Sequence, residues 1–339
     1  MAQQRILVTG GAGFIGSHYV RTLLGRPSDG DALRLTVLDK FTYAGNPANL
    51  EAVRGHPALT VVRGDIGDAD LVRGLLADHD QVVHFAAESH VDRSIGSPGE
   101  FVRTNVLGTQ TLLDAAVHTG VRTFVHVSTD EVYGSVPYGS TGEDAPLAPG
   151  SPYAASKASS DLLALAQHRT HGLDVRISRC SNNYGPHQMP EKLIPRFVTS
   201  LLAGETVPLY GDGLHVRDWL HVDDHVHGIE LVRTLGRPGE VYNIGGGTEL
   251  TNQKLTAMLL DACGADWGSV RHVADRKGHD RRYSVDCTKA SVELGYAPRR
   301  DFAEGLAQTV AWYRENRSWW EPLLPHCAPE AVPVGGESA

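Results

Sequence analysis

An α/β fold is what this 339-residue sequence predicts: a doubly wound parallel sheet with a smaller, mainly C-terminal α/β domain. Three observations predict it. Short runs rich in Val, Ile and Leu alternate with amphipathic helical segments through the first half, as strands buried on both faces alternate with their crossover helices. A glycine cluster lies between the first run and the first helical segment. A late run, VYNIGG at 241–246, has the composition of one more strand returning to the same sheet.

The strands are expected at RILVTG (5–10), LTVLDKF (35–41), LTVVRGDI (59–66), QVVHFAA (81–87), TFVHVST (123–129) and VRISRC (175–180). Between them the apolar spacing predicts helices at SHYVRTLLG, ADLVRGLLAD, FVRTNVLGTQTLLDAAV and ASSDLLALAQHRT. After Cys180 the alternation breaks. NNYGPHQMPEK reads as a loop, LIPRFVTSLLAG as a helix, VPLYGDGLHVRDW as a turn-rich stretch, and NQKLTAMLLDACG and FAEGLAQTVAWYREN as late helices. The expected division is interleaved. Residues 1–181 with about 218–246 form a nucleotide-binding unit, about 182–217 with 247–324 form a second unit, and 325–339 is a disordered Pro/Gly/Ala-rich tail.

Apolar residues make up 41% and charged residues 21%, ordinary for a globular protein. A net charge of -9 argues against a nucleic-acid partner, which demands a basic footprint. It leaves a nucleotide ligand open, because backbone N–H groups hold phosphates without net positive charge. No apolar run is long enough to span a bilayer, and MAQQRILVTGG has no signal pattern. Cys180, Cys263, Cys287 and Cys327 show neither C-x-x-C nor zinc spacing. A cytoplasmic protein with reduced thiols and no membrane partner is the expectation. HVDDHVH at 221–227 invites a metal reading, but its spacing is not H-E-x-x-H, and its acids suit the first turn of a following helix, so no metal is expected. Trp312, Trp319 and Trp320 read as packing residues.

VTGGAGFIGSH fits two glycine spacings: Gly11, Gly13, Gly16 as G-x-G-x-x-G, and Gly10, Gly13, Gly16 as G-x-x-G-x-x-G. Either allows a tight turn and close approach of a pyrophosphate to a helix N-terminus, as in Rossmann-like dinucleotide domains. Asp39 closes the second strand 23 residues beyond Gly16, placed to bind a ribose diol and repel a 2′-phosphate, which favours NAD over NADP. Asp65 and Ile66 end the third strand and are expected to flank the adenine.

SPYAASK puts Tyr153 and Lys157 four residues apart on one helix face. A nearby ammonium favours the phenolate, so this pair can take a proton from an alcohol while a hydride leaves for a nicotinamide. HVSTDEVYG ends a buried strand in adjacent acids, Asp130 and Glu131. Like charges side by side push their protonation states apart, leaving one acid and one base. Successive strand residues face opposite ways, so the strand must end by Asp130 for both to enter one pocket.

The glycine loop, the Tyr153/Lys157 pair and the Ser/Thr-rich strand end together resemble the extended short-chain dehydrogenase/reductases. Within them, DKFTYAGN, HFAAESHVDRSI, STDEVYG, SPYAASKASSD, RCSNNYGP, PEKLIP, PLYGDG, VRDWL and GHDRRY, in that order from residue 39 to 283, resemble the dTDP-glucose 4,6-dehydratases. The resemblance implies oxidation at C4 with hydride passing to NAD, loss of water across C5 and C6, and return of the hydride to C6. It implies Asp130 as acid, Glu131 as base, Tyr153 with Lys157 as base for the 4-hydroxyl, and Thr129 as a hydrogen bond near O4. It further implies NAD contacts at Phe14, Ile15, Asp39, Lys40, Phe41, Thr42, Phe85, Ala86, Ala87, Thr104, Tyr153, Lys157 and Asn183. Ser89, Asn182, Lys192, Leu193, Pro208, Tyr210, Arg217, Asn252, Arg276 and His279 match contacts to dTDP-glucose. Arg217 and Arg276 suit its pyrophosphate. A homodimer through the helices beginning near Glu100 and Tyr153 is also implied. Alternatives are a 4-epimerase, a 4,6-dehydratase of another nucleotide sugar, a UDP-glucuronate decarboxylase, or a non-enzymatic NAD-sensing regulator. An epimerase needs no C5/C6 acid–base pair, and a sensor has no use for Tyr153 and Lys157.

Overall fold

Seven strands make the central sheet: β1 (Gln4–Thr9), β2 (Leu33–Asp39), β3 (Leu59–Arg63), β4 (Gln81–His84), β5 (Thr123–Thr129), β6 (Val175–Cys180) and β10 (Val241–Ile244). Their order is β10-β6-β5-β4-β1-β2-β3, and every neighbouring pair is parallel. The order reverses between β1 and β4, the switch point at which such sheets bind dinucleotides. The computed structural model describes residues 3–26 and 33–327, so positions 328–339 of the expected tail lie outside the described residues. The VYNIGG run returns to the sheet as expected, pairing with β6 from Val241 to Ile244.

Alternating side chains feed two apolar layers. Ile6, Val8 and Val37 pack on one face with the Phe14–Leu24 and Val222–Leu235 helices, and Leu7, Leu38 and Val82 pack on the other with the Ala69–Leu76 and Thr109–Thr119 helices. A third core, around Phe197, Trp219, Leu255, Leu306 and Tyr313, holds the C-terminal lobe together. Among the described residues no helix is long and apolar enough to cross a membrane.

Two local expectations fail. VPLYGDGLHVRDW is not merely turns: it forms β8 (Val207–Tyr210) and β9 (Val216–His221). β9 sits between β7 (Asn182–Tyr184) and β11 (Glu249–Thr251), and β8 pairs with β12 (Val270–Val273). These strands are three to six residues long and mostly find partners far along the chain, so local periodicity does not reveal them. The single helix expected from Phe101 onward is instead a short turn (Pro98–Phe101), a π-helical segment (Val102–Gly108) and an α-helix (Thr109–Thr119). Inside the π segment, buried Asn105 exchanges hydrogen bonds with the Glu88 backbone at 2.8 and 3.0 Å and donates to Ser156 Oγ at 2.9 Å. π turns of this kind concentrate at functional sites.

Candidate active site

A cavity of about 500 Å³ opens across the C-terminal ends of the central strands and runs into the second lobe. It gathers all the assigned cofactor, catalytic and substrate residues except Phe41. Of the two glycine spacings, Gly10, Gly13 and Gly16 face the cavity, whereas Gly11 packs against Val37. Phe41 has φ +54°, gives its amide to Asp39 Oδ1 at 2.8 Å, and turns its ring into a separate apolar cleft with Pro47, Leu50 and Val61. The expected Phe41 contact to the cofactor is therefore not made by its side chain.

The loop after β1 fits a dinucleotide because it has no room for side chains. Gly10 has φ +68°, and a Cβ there would lie 2.6 Å from the Ala86 amide nitrogen; at Gly16 it would lie 2.3 Å from the Gly10 carbonyl oxygen. Asp39 is buried and accepts the Ala12 amide at 2.9 Å as well as that of Phe41, so it fastens the loop. Each of its oxygens keeps a second lone pair for a ribose hydroxyl. Burial raises its pKa, and the two amides oppose the rise. Beyond the ends of β2 and β3, Lys40 and Asp65 form an ion pair at 2.6 Å. Gly10→Ala combines a left-handed backbone with a collision against backbone, and is expected to release bound NAD; nucleotide retention equal to wild type after gel filtration would count against the loop's role.

β5 ends at Thr129, and Asp130–Tyr133 is a 3₁₀ turn that carries both acids into the cavity. Thr129 Oγ1 caps the turn, accepting the Glu131 amide and donating to Asp130 Oδ1, each at 3.3 Å. Asp130 is buried and its Oδ2 has no partner. Burial pushes its pKa well up, Glu131 and Asp218 push further, and Arg217 opposes. Burial also raises Glu131, but Lys192, Arg217 and Arg276 all favour its ionised form. The environments therefore separate the two: Asp130 keeps a proton and Glu131 gives one up more readily.

The Pro152–His171 helix starts on Ser151, whose side chain caps the Ala154 amide, with proline at its first turn. It presents buried Tyr153 and Lys157 to the cavity. The electrostatics of the tyrosine differ from expectation. Burial drives its pKa well above 10, and Glu131, Cys180 and Asp130 push the same way; hydrogen bonding with Thr129 opposes. Lys157 is not among the groups that shift it; its Nζ donates to the Val127 carbonyl at 2.8 Å, and burial lowers its own pKa to about 8.

At the far end Arg217 is aimed by the Val216 and Asp280 carbonyls (2.8 and 3.0 Å) and lies 4.3 Å over the Tyr283 ring. Arg276 lies 5.0 Å over Tyr210, and its buried Nε has no partner among the described residues. Nor do Asn182 Oδ1 and Asn252 Oδ1, so polar groups are set facing a ligand. Asn183 is more committed than expected: its amide already bonds the Ser181 carbonyl and His225. His279 stacks on His215 with ring centres 3.7 Å apart, and both meet Asp275. A metal bound to imidazole lies near the ring plane, and one ion cannot lie in two stacked planes, so this triad is a bridged histidine pair rather than a metal cage.

A model of the GDP-mannose 4,6 dehydratase family matches residues 7–309. A dTDP-glucose 4,6-dehydratase of Streptomyces antibioticus is 68% identical over 333 residues, 98% of each chain. The chain belongs to the dTDP-glucose 4,6-dehydratase family. A solved member of that family, DesIV of Streptomyces venezuelae with NAD bound, matches with a TM-score of 0.92 at 64% identity, covering 94% of this chain and all of that one. A UDP-glucose 4-epimerase of Thermotoga maritima shares the fold at 34% identity and a TM-score of 0.84, covering 92% of this chain and 99% of that one.

The dehydratase cavity also holds residues not singled out from sequence. Tyr283 gives its hydroxyl to Asp280 at 2.8 Å and carries Arg217, and Gln188 and His90 line the wall. Tyr283 and His90 lie inside the segments GHDRRY and HFAAESHVDRSI, so the signal was present in the motifs. Asn105 had none.

Proposed function

We infer that the chain converts dTDP-glucose to dTDP-4-keto-6-deoxyglucose and water. The observation that carries this reading is the pair Asp130 and Glu131, opening onto one cavity with unlike tendencies to hold a proton. NAD would be held by the glycine loop, Asp39 and the Tyr153/Lys157 pair, and would supply the hydride acceptor and donor.

The chain's own residues do the proton work. Tyr153 takes the proton of the 4-hydroxyl, with Thr129 hydrogen-bonded beside it. A ketone at C4 acidifies the C5 proton, and Glu131 takes it. Asp130 donates to the 6-hydroxyl, which departs as water. Reduction at C6 leaves C5 to be reprotonated, and Glu131 holds that proton. Arg217, Arg276 and Lys192 supply positive charge for the diphosphate in a chain that is acidic overall. The lobes divide this labour: 1–181 with about 218–246 hold NAD, and about 182–217 with 247–324 hold the sugar nucleotide.

Incubation with dTDP-glucose, followed by mass spectrometry, is expected to show loss of one water. Formation of dTDP-galactose would instead support a 4-epimerase, the activity named for the Thermotoga neighbour. Competition among dTDP-, UDP-, GDP- and CDP-glucose tests the thymine preference.

The protein acts as a cytoplasmic homodimer in this reading. Val102, Leu107 and Leu162 are 49%, 60% and 58% exposed on the helices that begin near Glu100 and Tyr153, and a second copy of the same face would cover them. Leu162→Glu is expected to halve the mass measured by sedimentation; an unchanged mass would place the interface elsewhere.

A further inference from the structure

The last described segment of the chain reaches back to the cofactor loop. After the Phe302–Glu315 helix come a short helical turn (Arg317–Trp320) and a 3₁₀ turn (Glu321–His326). Trp319 donates its indole N–H to Asn49 Oδ1 at 3.0 Å. Asn49, buried in the first lobe, donates its Nδ2 to the Ala12 carbonyl at 2.9 Å. Ala12 is the residue between Gly11 and Gly13. Its carbonyl also accepts the Asn46 amide at 3.0 Å, and its own amide is the one held by Asp39. The orientation of the Asn49 amide is forced, because an indole N–H only donates and a carbonyl only accepts.

The same segment is anchored on its other side. Trp312 and Trp319 flank His187, with ring centres 4.4 and 5.5 Å away. Tyr313 gives its hydroxyl to the carbonyl of Gln188, which lines the cavity. Arg93 of the first lobe donates to the His326 carbonyl. The strap thus touches both lobes, and one continuous line of hydrogen bonds runs from its indole to the glycine loop.

We propose that Trp319 is a positioning residue for NAD: through Asn49 it fixes the Ala12 peptide of the loop that takes the cofactor's pyrophosphate. The proposal rests on the NAD reading of that loop. Preorganised backbone binds without first being ordered, so losing the restraint lowers affinity while leaving the reacting groups in place. The Trp319 ring packs against His187 and Trp312, as expected of an apolar side chain; its N–H does the positioning.

Trp319→Phe keeps an aromatic ring and removes only the donor. In the holoenzyme, exchange of bound NAD for labelled NAD is expected to run about three- to tenfold faster, the loss of one buried hydrogen bond. With NAD in excess, kcat and the KM for dTDP-glucose should stay within about twofold of wild type on the same reasoning. Trp312→Phe keeps an aromatic ring against both His187 and Trp319, whose ring centre lies 5.0 Å away, and leaves the Trp319 N–H on Asn49, so it should exchange NAD at the wild-type rate. Faster exchange in both variants, or in neither, overturns the proposal, since either result makes the strap a packing element only. A wild-type protein that takes up no NAD at all overturns the function reading instead.

Discussion

Glu131→Gln and Asp130→Asn each slow the dehydration of dTDP-glucose by about 10²–10⁴, the usual contribution of a positioned acid or base, while the first oxidation at C4 survives better. Rapid mixing with dTDP-glucose is then expected to show reduced cofactor building up while the keto-deoxy product lags. Equal loss of both steps would mean that the acids serve C4 as well, and the division of labour fails. The pH profile carries a further sign. Glu131 must be ionised and its pKa is raised, so the ascending limb of the wild-type profile lies above the ordinary glutamate range. Asp130 must be protonated, so it sets the descending limb, and Asp130→Asn removes that limb along with most of the rate. Neither loss should reflect unfolding. A carboxyl whose folded-state pKa is raised withdraws stability as pH climbs toward that pKa, and an amide in its place does not. The Asp130→Asn protein is therefore expected to melt no lower than wild type at neutral pH.

Arg179→Met is expected to cost about 3–5 kcal/mol of stability in urea denaturation at pH 7, the cost of stranding a buried charge. Asp161 is fully buried, and Arg179 is 3% exposed and bonds it at 2.8 Å. The same guanidinium donates to the Tyr133 hydroxyl at 2.9 Å, and His126 approaches Asp161 from β5 at 3.3 Å. Burial alone would raise the Asp161 pKa, yet His126, Arg179 and Lys157 hold it at about 2. A depressed carboxylate contributes stability that is complete above its unfolded pKa and is lost as pH falls through the folded value. The gap between wild type and variant should thus be widest above about pH 4 and narrow from there toward pH 2. A gap that does not change with pH would show that the loss is packing and not charge. Lys157 is a partner of the same carboxylate, and Asp161 stands one turn further along the same Pro152–His171 helix, so the pair ties that helix to β6.

The central sheet was legible because its strands are buried on both faces and announce themselves as runs of Val, Ile and Leu. The small sheets were not: Asn182–Tyr184 and Glu249–Thr251 are three residues each, and their pairing with Val216–His221 bridges long stretches of chain. The π segment escaped because its reason is a tertiary contact, Asn105 bonding Glu88 and Ser156, which no local pattern encodes. In the candidate site, motif and spacing picked out residues that the fold brings to one cavity, since the proposed chemistry needs those residue types at those intervals. They did not give the field around Tyr153. Spacing placed Lys157 beside it, but only the fold shows that ammonium bonded to the Val127 carbonyl and two acids facing the phenol. Phe41 was misplaced for a related reason: its positive φ turns the ring away from its sequence neighbours Asp39 and Lys40, which do line the cavity.

The turn that bears the two acids is fastened without them. Thr129 caps it through the Glu131 amide, and Tyr133 ties it to Asn243 of β10 at 2.9 Å. The Asp130 carboxyl adds one bond to this turn, from Thr129 Oγ1 at 3.3 Å, so most of what holds the backbone is independent of the side chains at 130 and 131. Substitution at these two positions alone can therefore separate the elimination from the oxidation, with the strands, the glycine loop and the Tyr153 helix left in place.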